Sequence, residues 1–263
     1  MREFLSISLS DPSSMPDPYF TVTVFQDERT LAKALAERLA ADLTRQPRQV
    51  LGLATGRTPV RLYHELGNLH AHGRADFSQV TTFNLDEFWG LSPRDPGSYR
   101  TFMEEHLFRR VGLAPERVNF LNGDAADAEE ECARYDAAIA AAGGIDVQLL
   151  GIGTNGHIGF NEPAGALEAR THRVVLEPET RRNNAALFGG DPDLVPREAL
   201  SMGMGSILRA RRIVLIATGK SKATCVERLV NGPITTKLPA SFLQLHGSVE
   251  VVLDTAAAGA SVR

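Results

Sequence analysis

The chain has 263 residues, enough for one substantial core, and its 28 basic and 32 acidic residues leave a net charge of −4. No long run of like charge marks a nucleic-acid arm or a membrane-surface patch, and no uninterrupted apolar run reaches the roughly 20 residues that cross a bilayer. Two cysteines, Cys132 and Cys225, are too few for a disulfide framework and form no C-x-x-C pair, which fits a reducing cytoplasm and argues against a structural zinc site.

Residues 1–19 open with an apolar piece that is short and broken by serine, followed at once by Asp11, Pro12, Pro16 and Pro18. That is no signal-peptide core, and a poorly ordered extension is expected there. TVTVF at 21–25 reads as a strand. Leu31, Leu35, Leu39 and Leu43 then recur every four residues and predict a helix with one apolar stripe. QVLGLA at 49–54 reads as a buried strand closed by TGRTP, where Thr58 is expected to cap a helix and Pro59 to sit in its first turn. That helix carries Leu62, Leu66 and Leu69. VTTFNL at 80–85 is the next strand, followed by a loop, a helix from about 98 to 110 and a short strand VNFL. The segment 126–142 predicts a strong helix broken at Gly143-Gly144. IDVQLL, THRVVLE, RRIVLIA and SVEVVLD read as further strands, with helices at 179–188 and 220–230. Strands alternating with helices predict an α/β fold, one domain over 20–263 with a mainly parallel sheet covered on both faces. Ligands in such sheets bind at the carboxyl ends of the strands.

Three polar clusters fall at those ends. Thr55, Gly56, Arg57 and Thr58 turn a strand into a helix, whose free N–H groups and partial positive charge suit a phosphate; the plain alternative is a tight turn with a threonine cap. Asp86-Glu87 ends the third strand, VTTFNL. Adjacent strand residues point to opposite faces, so at most one of the two readily faces a given site. A buried carboxylate there has a raised pKa and can act as a base, whereas a surface acidic pair would be inert. The third cluster is GIGTNGHIGFNEP at 151–163. Its first six residues match the G-x-G-x-x-G of a dinucleotide-binding turn, with Glu177 about 20 residues on. That fold needs a helix running from the third glycine, and Gly159, Asn161, Pro163 and Gly165 all oppose one. The glycines instead serve a tight loop that displays Asn155, His157 and Glu162. A His beside a carboxylate is the usual general base of fixed tautomer.

With LGLATGRTP, TFNLDEFWGL, SYRTFMEEHLF, GIGTNGHIGFNEP, ETRRNN and LQLHG in this order, the chain resembles the glucosamine-6-phosphate deaminase family over about residues 21–254. The related 6-phosphogluconolactonases share the glycine-rich loop but not F-N-E-P. The resemblance implies that Asp86 moves a proton from C2 to C1 of the opened amino sugar. It implies that His157 opens the ring and that Glu162 orients it. Thr55 to Thr58, Arg181 and Lys222 correspond to the phosphate site, and Glu87 either joins the site or holds its loop. An aldose-to-ketose shift of this kind ends in a carbinolamine that expels ammonia, so no metal or organic cofactor is required.

Two positions depart from the family pattern. Asn155 stands where some members have aspartate, so charge stabilisation of the imidazolium falls to Glu162. Arg57 replaces a glycine or serine, and either adds a charge-assisted phosphate contact or points into solvent. Allosterically activated members bind a second sugar phosphate through two serines, an arginine and a lysine; here those positions are Gly165, Ala166, His172 and Val174, so no activator is expected. Residues from about 167 to 196 form a candidate lid. The alternatives are a 6-phosphogluconolactonase, a galactosamine-6-phosphate deaminase, and a non-catalytic sugar-phosphate sensor. The partner is a small sugar phosphate, with no nucleic acid and no membrane. A homo-oligomer is compatible with the sequence, which does not fix subunit number.

Overall fold

The computed structural model describes residues 20–260; the N-terminal extension expected at 1–19 lies outside them. Strand β1 (Phe20–Phe25) leads into helix α1 (Glu28–Arg45). Asp27 starts that helix by accepting from the Thr30 N–H at 2.8 Å, while the Thr30 hydroxyl accepts from the Asp27 N–H at 3.2 Å. This reciprocal cap fixes the entry of a helix whose Leu31, Leu35, Leu39 and Leu43 are all buried, as their spacing predicts. Then follow β2 (Val50–Leu53), α2 (Arg57–Ala71), β3 (Thr81–Asn84), β4 (Asp86–Phe88) and α3 (Tyr99–Met103), which runs on as a π-helical turn over Glu104–Phe108. After β5 (Val118–Asn119), α4 (Ala128–Ala141) begins where the Asp127 carboxylate accepts from the N–H groups of Glu129 and Glu130. It stops at Gly143 and Gly144, whose φ values of 82° and 87° no side chain favours. The remaining elements are β6 (Val147–Leu150), β7 (His172–Val175), α5 (Pro178–Asn184), β8 (Glu198–Ser201), α6 (Met204–Leu208), β9 (Arg212–Ala217), α7 (Ala223–Asn231), β10 (Val249–Asp254) and α8 (Thr255–Ala258).

Seven strands form one sheet in the order β1-β10-β9-β6-β2-β3-β5, with every pairing parallel. Alternate residues of its central strands feed two cores. Leu51, Leu53, Val147 and Leu149 pack with α1 and α2, and Val50, Phe83, Leu150 and Leu215 pack with α4 and α7. Burial on both faces is why these strands read as continuous apolar runs. Among the described residues, no helix is long and apolar enough to cross a membrane.

Two expectations are corrected. Helix α2 starts at Arg57 with Gly56 at its cap position, so Thr58 lies inside the first turn and does not cap it. THRVVLE does not join the parallel sheet: β7 pairs antiparallel with β8, and β8 with β4, in a second sheet of three strands. The four residues of β8 were missed because so short a run carries little periodicity. Leu85 joins the two sheets, donating from its N–H to the Leu53 carbonyl (3.0 Å) and accepting from the Met202 N–H (2.8 Å). The chain therefore leaves one sheet and enters the other immediately before Asp86. From α4, the fully buried Tyr135 donates its hydroxyl to the Asn84 carbonyl at 2.6 Å and clamps this transition. Replacing Tyr135 with Phe removes that bond and leaves a buried carbonyl short of a donor. Urea unfolding is expected to show a loss of about 1–2 kcal/mol.

Candidate active site

The loops that follow β6, β2 and β3 open side by side, because these strands are neighbours in a parallel sheet. The sheet also changes direction here: β3 and β5 lie to one side of β2, and β6, β9 and β10 to the other. A crevice at such a switch point is where open α/β sheets bind ligands. All three polar clusters converge on it. A Cβ placed on Gly159 would come within 3.6 Å of Asp86 Oδ2, so the glycine-rich loop lies directly against the Asp86 carboxyl.

Within the loop, Glu162 gathers the other polar groups. Its Oε2 accepts from the Asn155 amide at 2.7 Å and lies 3.2 Å from His157 Nδ1. A carboxylate only accepts, so the proton of a neutral imidazole sits on Nδ1 and the Nε2 lone pair is left for a substrate. Glu162 Oε1 accepts from the Thr180 hydroxyl on α5. Burial raises the pKa of Glu162, but the bonds from His157, Thr180 and Asn155 outweigh it and hold the carboxyl below its ordinary range. Asn155 also accepts from the His157 N–H at 3.2 Å, fixing the backbone that carries the imidazole. The glycines make room for the ring, since a Cβ on Gly153 would stand 2.5 Å from His157 Nε2. Gly156 turns with φ of 89° and packs against Leu238. The dinucleotide-like pattern is thus a cradle for His157.

Asp86 and Glu87 point to opposite sides of β4 and meet different surroundings. Glu87, 2% exposed, accepts from the backbone N–H groups of Phe88, Tyr99 and Arg100, each at 2.9 Å. It therefore holds the loop and the start of α3. Burial lifts its pKa to about 7 against the pull of those three donors. Asp86, 6% exposed, has no such donors, and its Oδ1 is buried without a partner. Burial, then the charge of Glu87, lift its pKa to about 8, opposed by the neighbouring Thr55 hydroxyl. Both carboxyls titrate near neutrality, but the three N–H donors bind Glu87 to the loop, while Asp86 faces the crevice with an unpartnered oxygen, as a general base requires.

At the start of α2, no side chain accepts from the first-turn N–H groups of the helix that Arg57 and Thr58 open. Thr55, Gly56 and Thr58 are half-buried there, and Arg57 is exposed. Lys222, beyond β9, is half-buried; burial lowers its pKa and the Arg57 charge adds to this, while Cys225 and Glu179 act the other way. The charges of Arg57 and Lys222 therefore lie close enough to act on each other. Arg181 is engaged elsewhere, donating to the carbonyls of Pro192 (2.7 Å) and Val195 (3.3 Å) and pairing with Asp193 at 3.6 Å.

Several site neighbours were not singled out from sequence. Thr180 is one, and Tyr99 is another: its buried ring stacks on Phe160, and its hydroxyl, beside Thr55, donates to Asn184 at 2.8 Å. Glu179 accepts from Thr154 at 2.7 Å. Each contact spans 18 or more residues, beyond the reach of local pattern. LQLHG, in contrast, lies at the amino ends of the strands. There His246 Nε2 donates to the Ala210 carbonyl at 2.7 Å and Nδ1 accepts from the Ser248 N–H at 3.0 Å, a structural brace between β9 and β10. Among the described residues, no three His, Cys, Asp or Glu side chains gather so as to hold a metal ion.

The buried Asp86 has a measurable cost. Its folded pKa of about 8 exceeds the usual 3.8, so between these values the folded chain keeps a proton that the unfolded chain releases. Stability then falls as pH rises through that window and levels off above it. Asp86→Asn removes the titration. The Tm of the variant relative to the parent is expected to climb between pH 5 and pH 8, and a pH-independent difference would contradict this.

A family model described as glucosamine-6-phosphate isomerases/6-phosphogluconolactonase matches residues 26–252. The glucosamine-6-phosphate deaminase of Halothermothrix orenii is 46% identical over 90% of this chain and 98% of that protein. A solved structure of a monomeric glucosamine-6-phosphate deaminase superposes with a TM-score of 0.88 at 44% identity, covering 92% of this chain and all of the other. The 6-phosphogluconolactonase of Trypanosoma cruzi shares the fold, with a TM-score of 0.72 at 20% identity over 94% of this chain and 98% of that one. The chain therefore belongs to the glucosamine-6-phosphate isomerase/6-phosphogluconolactonase family.

Proposed function

We propose that the protein is a glucosamine-6-phosphate deaminase, converting glucosamine 6-phosphate and water to fructose 6-phosphate and ammonia. The observation that carries the reading is the meeting of two proton-transfer groups in one crevice: the isolated Asp86 carboxyl and the His157–Glu162 pair. The first-turn N–H groups of α2, with Thr55, Thr58, Arg57 and Lys222, receive the phosphate and hold the sugar while reaction occurs at its other end. Arg181 donates from Nε and Nη2 to Val195 and Pro192 and is left out of this phosphate site.

His157 Nε2 takes the proton from the O1 hydroxyl and returns it to O5 as the C1–O5 bond breaks, which yields the open aldehyde. Asp86 then removes the C2 proton. Electrons flow through C1 to the carbonyl oxygen, which gains a proton, and an enolamine forms. Returning the proton from Asp86 to C1 leaves an imine at C2. Water adds to it, and the carbinolamine expels ammonia to give the ketose. A lactonase needs a base toward water but no carboxyl shuttling between carbons, so Asp86 favours the deaminase. The reading places the enzyme in the cytoplasm, consistent with its free Cys132 and Cys225.

Incubation with glucosamine 6-phosphate is expected to release ammonia and fructose 6-phosphate in equal amounts, with galactosamine 6-phosphate and 6-phosphogluconolactone as comparison substrates. Asp86→Asn is expected to lower kcat at least about a thousandfold. Because the base must be ionised, kcat/KM of the parent should rise with pH through about 8. No ammonia from either amino sugar would refute the reading. N-Acetylglucosamine 6-phosphate is expected to leave the rate curve unchanged, since Gly165, Ala166, His172 and Val174 offer no side chain suited to a second phosphate apart from one imidazole. Conversion of a sigmoidal curve to a hyperbolic one would contradict that.

A further inference from the structure

We propose that Thr180 is a positioning residue for the His157–Glu162 pair, tying the geometry of the ring-opening group to the placement of helix α5. Thr180 is 2% exposed and belongs to a different part of the chain from the loop it serves. Its hydroxyl donates to Glu162 Oε1, whereas both donors from the loop itself, Asn155 and His157, address Oε2. The loop alone thus holds one oxygen and leaves Oε1 to a partner from elsewhere in the chain. The Thr180 bond holds that second oxygen, so that with both oxygens bonded the plane of the carboxylate sets the direction of His157 Nδ1–H and of Nε2 opposite it.

Helix α5 is itself held from several sides, so Thr180 reports a defined position. Glu179 accepts from Thr154, in the same glycine-rich loop. Asn184 accepts from the Tyr99 hydroxyl, and its amide donates to the Thr180 carbonyl at 2.9 Å. Arg181 fastens the helix to the carbonyls of Pro192 and Val195. His157 is the titratable group that faces Glu162; on α5, Glu179 is turned to Thr154 and Arg181 to the 192–195 segment. A shift of α5 therefore reaches the Glu162 carboxylate, and through it the imidazole, by way of the Thr180 hydroxyl, while Thr154–Glu179 ties the same helix to the loop backbone. A hydroxyl is suited to this task, because it donates to the carboxylate without adding a charge that would compete with His157 for it.

The inference rests on the ring-opening role given to His157, and the test separates the two. Thr180→Val keeps the shape and removes the donor; Thr180→Ser restores it. With glucosamine 6-phosphate, Thr180→Val is expected to lower kcat about tenfold or more while KM stays within about threefold, with Thr180→Ser recovering most of the loss. In the absence of substrate, 13C NMR of labelled glutamate carboxyls is expected to show Glu162 titrating at higher pH in Thr180→Val and near the parent value in Thr180→Ser, since one donor to the ionised form is lost. If Thr180→Val does not fold, Thr180→Ala is read in the same two measurements. An unchanged Glu162 titration, or equal losses in Thr180→Val and Thr180→Ser, would overturn the inference. A shifted titration in a protein that releases no ammonia would uphold the positioning role and refute the proposed reaction instead.

Discussion

The site depends on one constraint: the Asp86 carboxyl is removed from water at the point where the chain changes sheets. Leu85 is bonded to the parallel sheet through Leu53 and to the antiparallel sheet through Met202, so the residue after it has no freedom to swing toward solvent. The glycine-rich loop covers Asp86 from one side, and Thr55 stands beside it. A carboxyl in that position cannot be a strong acid, because its charged form has lost its hydration and has gained few donors in return. The shifted pKa follows from the topology.

Glu87 shows the opposite outcome for the same chemical group one residue away. It too is buried, yet three backbone N–H groups converge on it, and it serves as an anchor for α3. The period of two in β4 separates the pair: one carboxyl faces the crevice and the other faces the helix start. Neighbouring acids of equal burial thus acquire different work through the number of donors each can reach. The His157–Glu162 pair follows the same logic. Its carboxylate is well supplied with donors, stays ionised and fixes a tautomer.

Much of this was legible in the sequence wherever local pattern and chemistry coincide. The central strands declared themselves as apolar runs, and the residues after them marked the crevice because parallel strands all end on one side. The rejection of a dinucleotide reading also held on local grounds, since Gly159, Asn161 and Pro163 leave no helix after Gly156. What escaped depends on contacts distant in sequence. Strand β8 is four residues long, and only its pairing with β4 and β7 gives it meaning. Thr58 has the chemistry of a cap, but the turn places Gly56 at that position. The roles of Glu87 and Thr180 required knowing which helix start or which carboxylate lies opposite. Arg181 is turned aside by carbonyls more than ten residues away.

The central claim is that one shielded carboxyl carries a proton between adjacent carbons of the sugar. Glucosamine 6-phosphate labelled with deuterium at C2 tests it most directly, with the isotope followed into fructose 6-phosphate during the first turnovers. With the carboxyl buried, some label is expected to pass from C2 to C1 before it reaches solvent. The account predicts deuterium at C1 of the product in one stereochemical position, with the remainder in water. Label found wholly in water from the first turnover, or spread over both C1 positions, would contradict it.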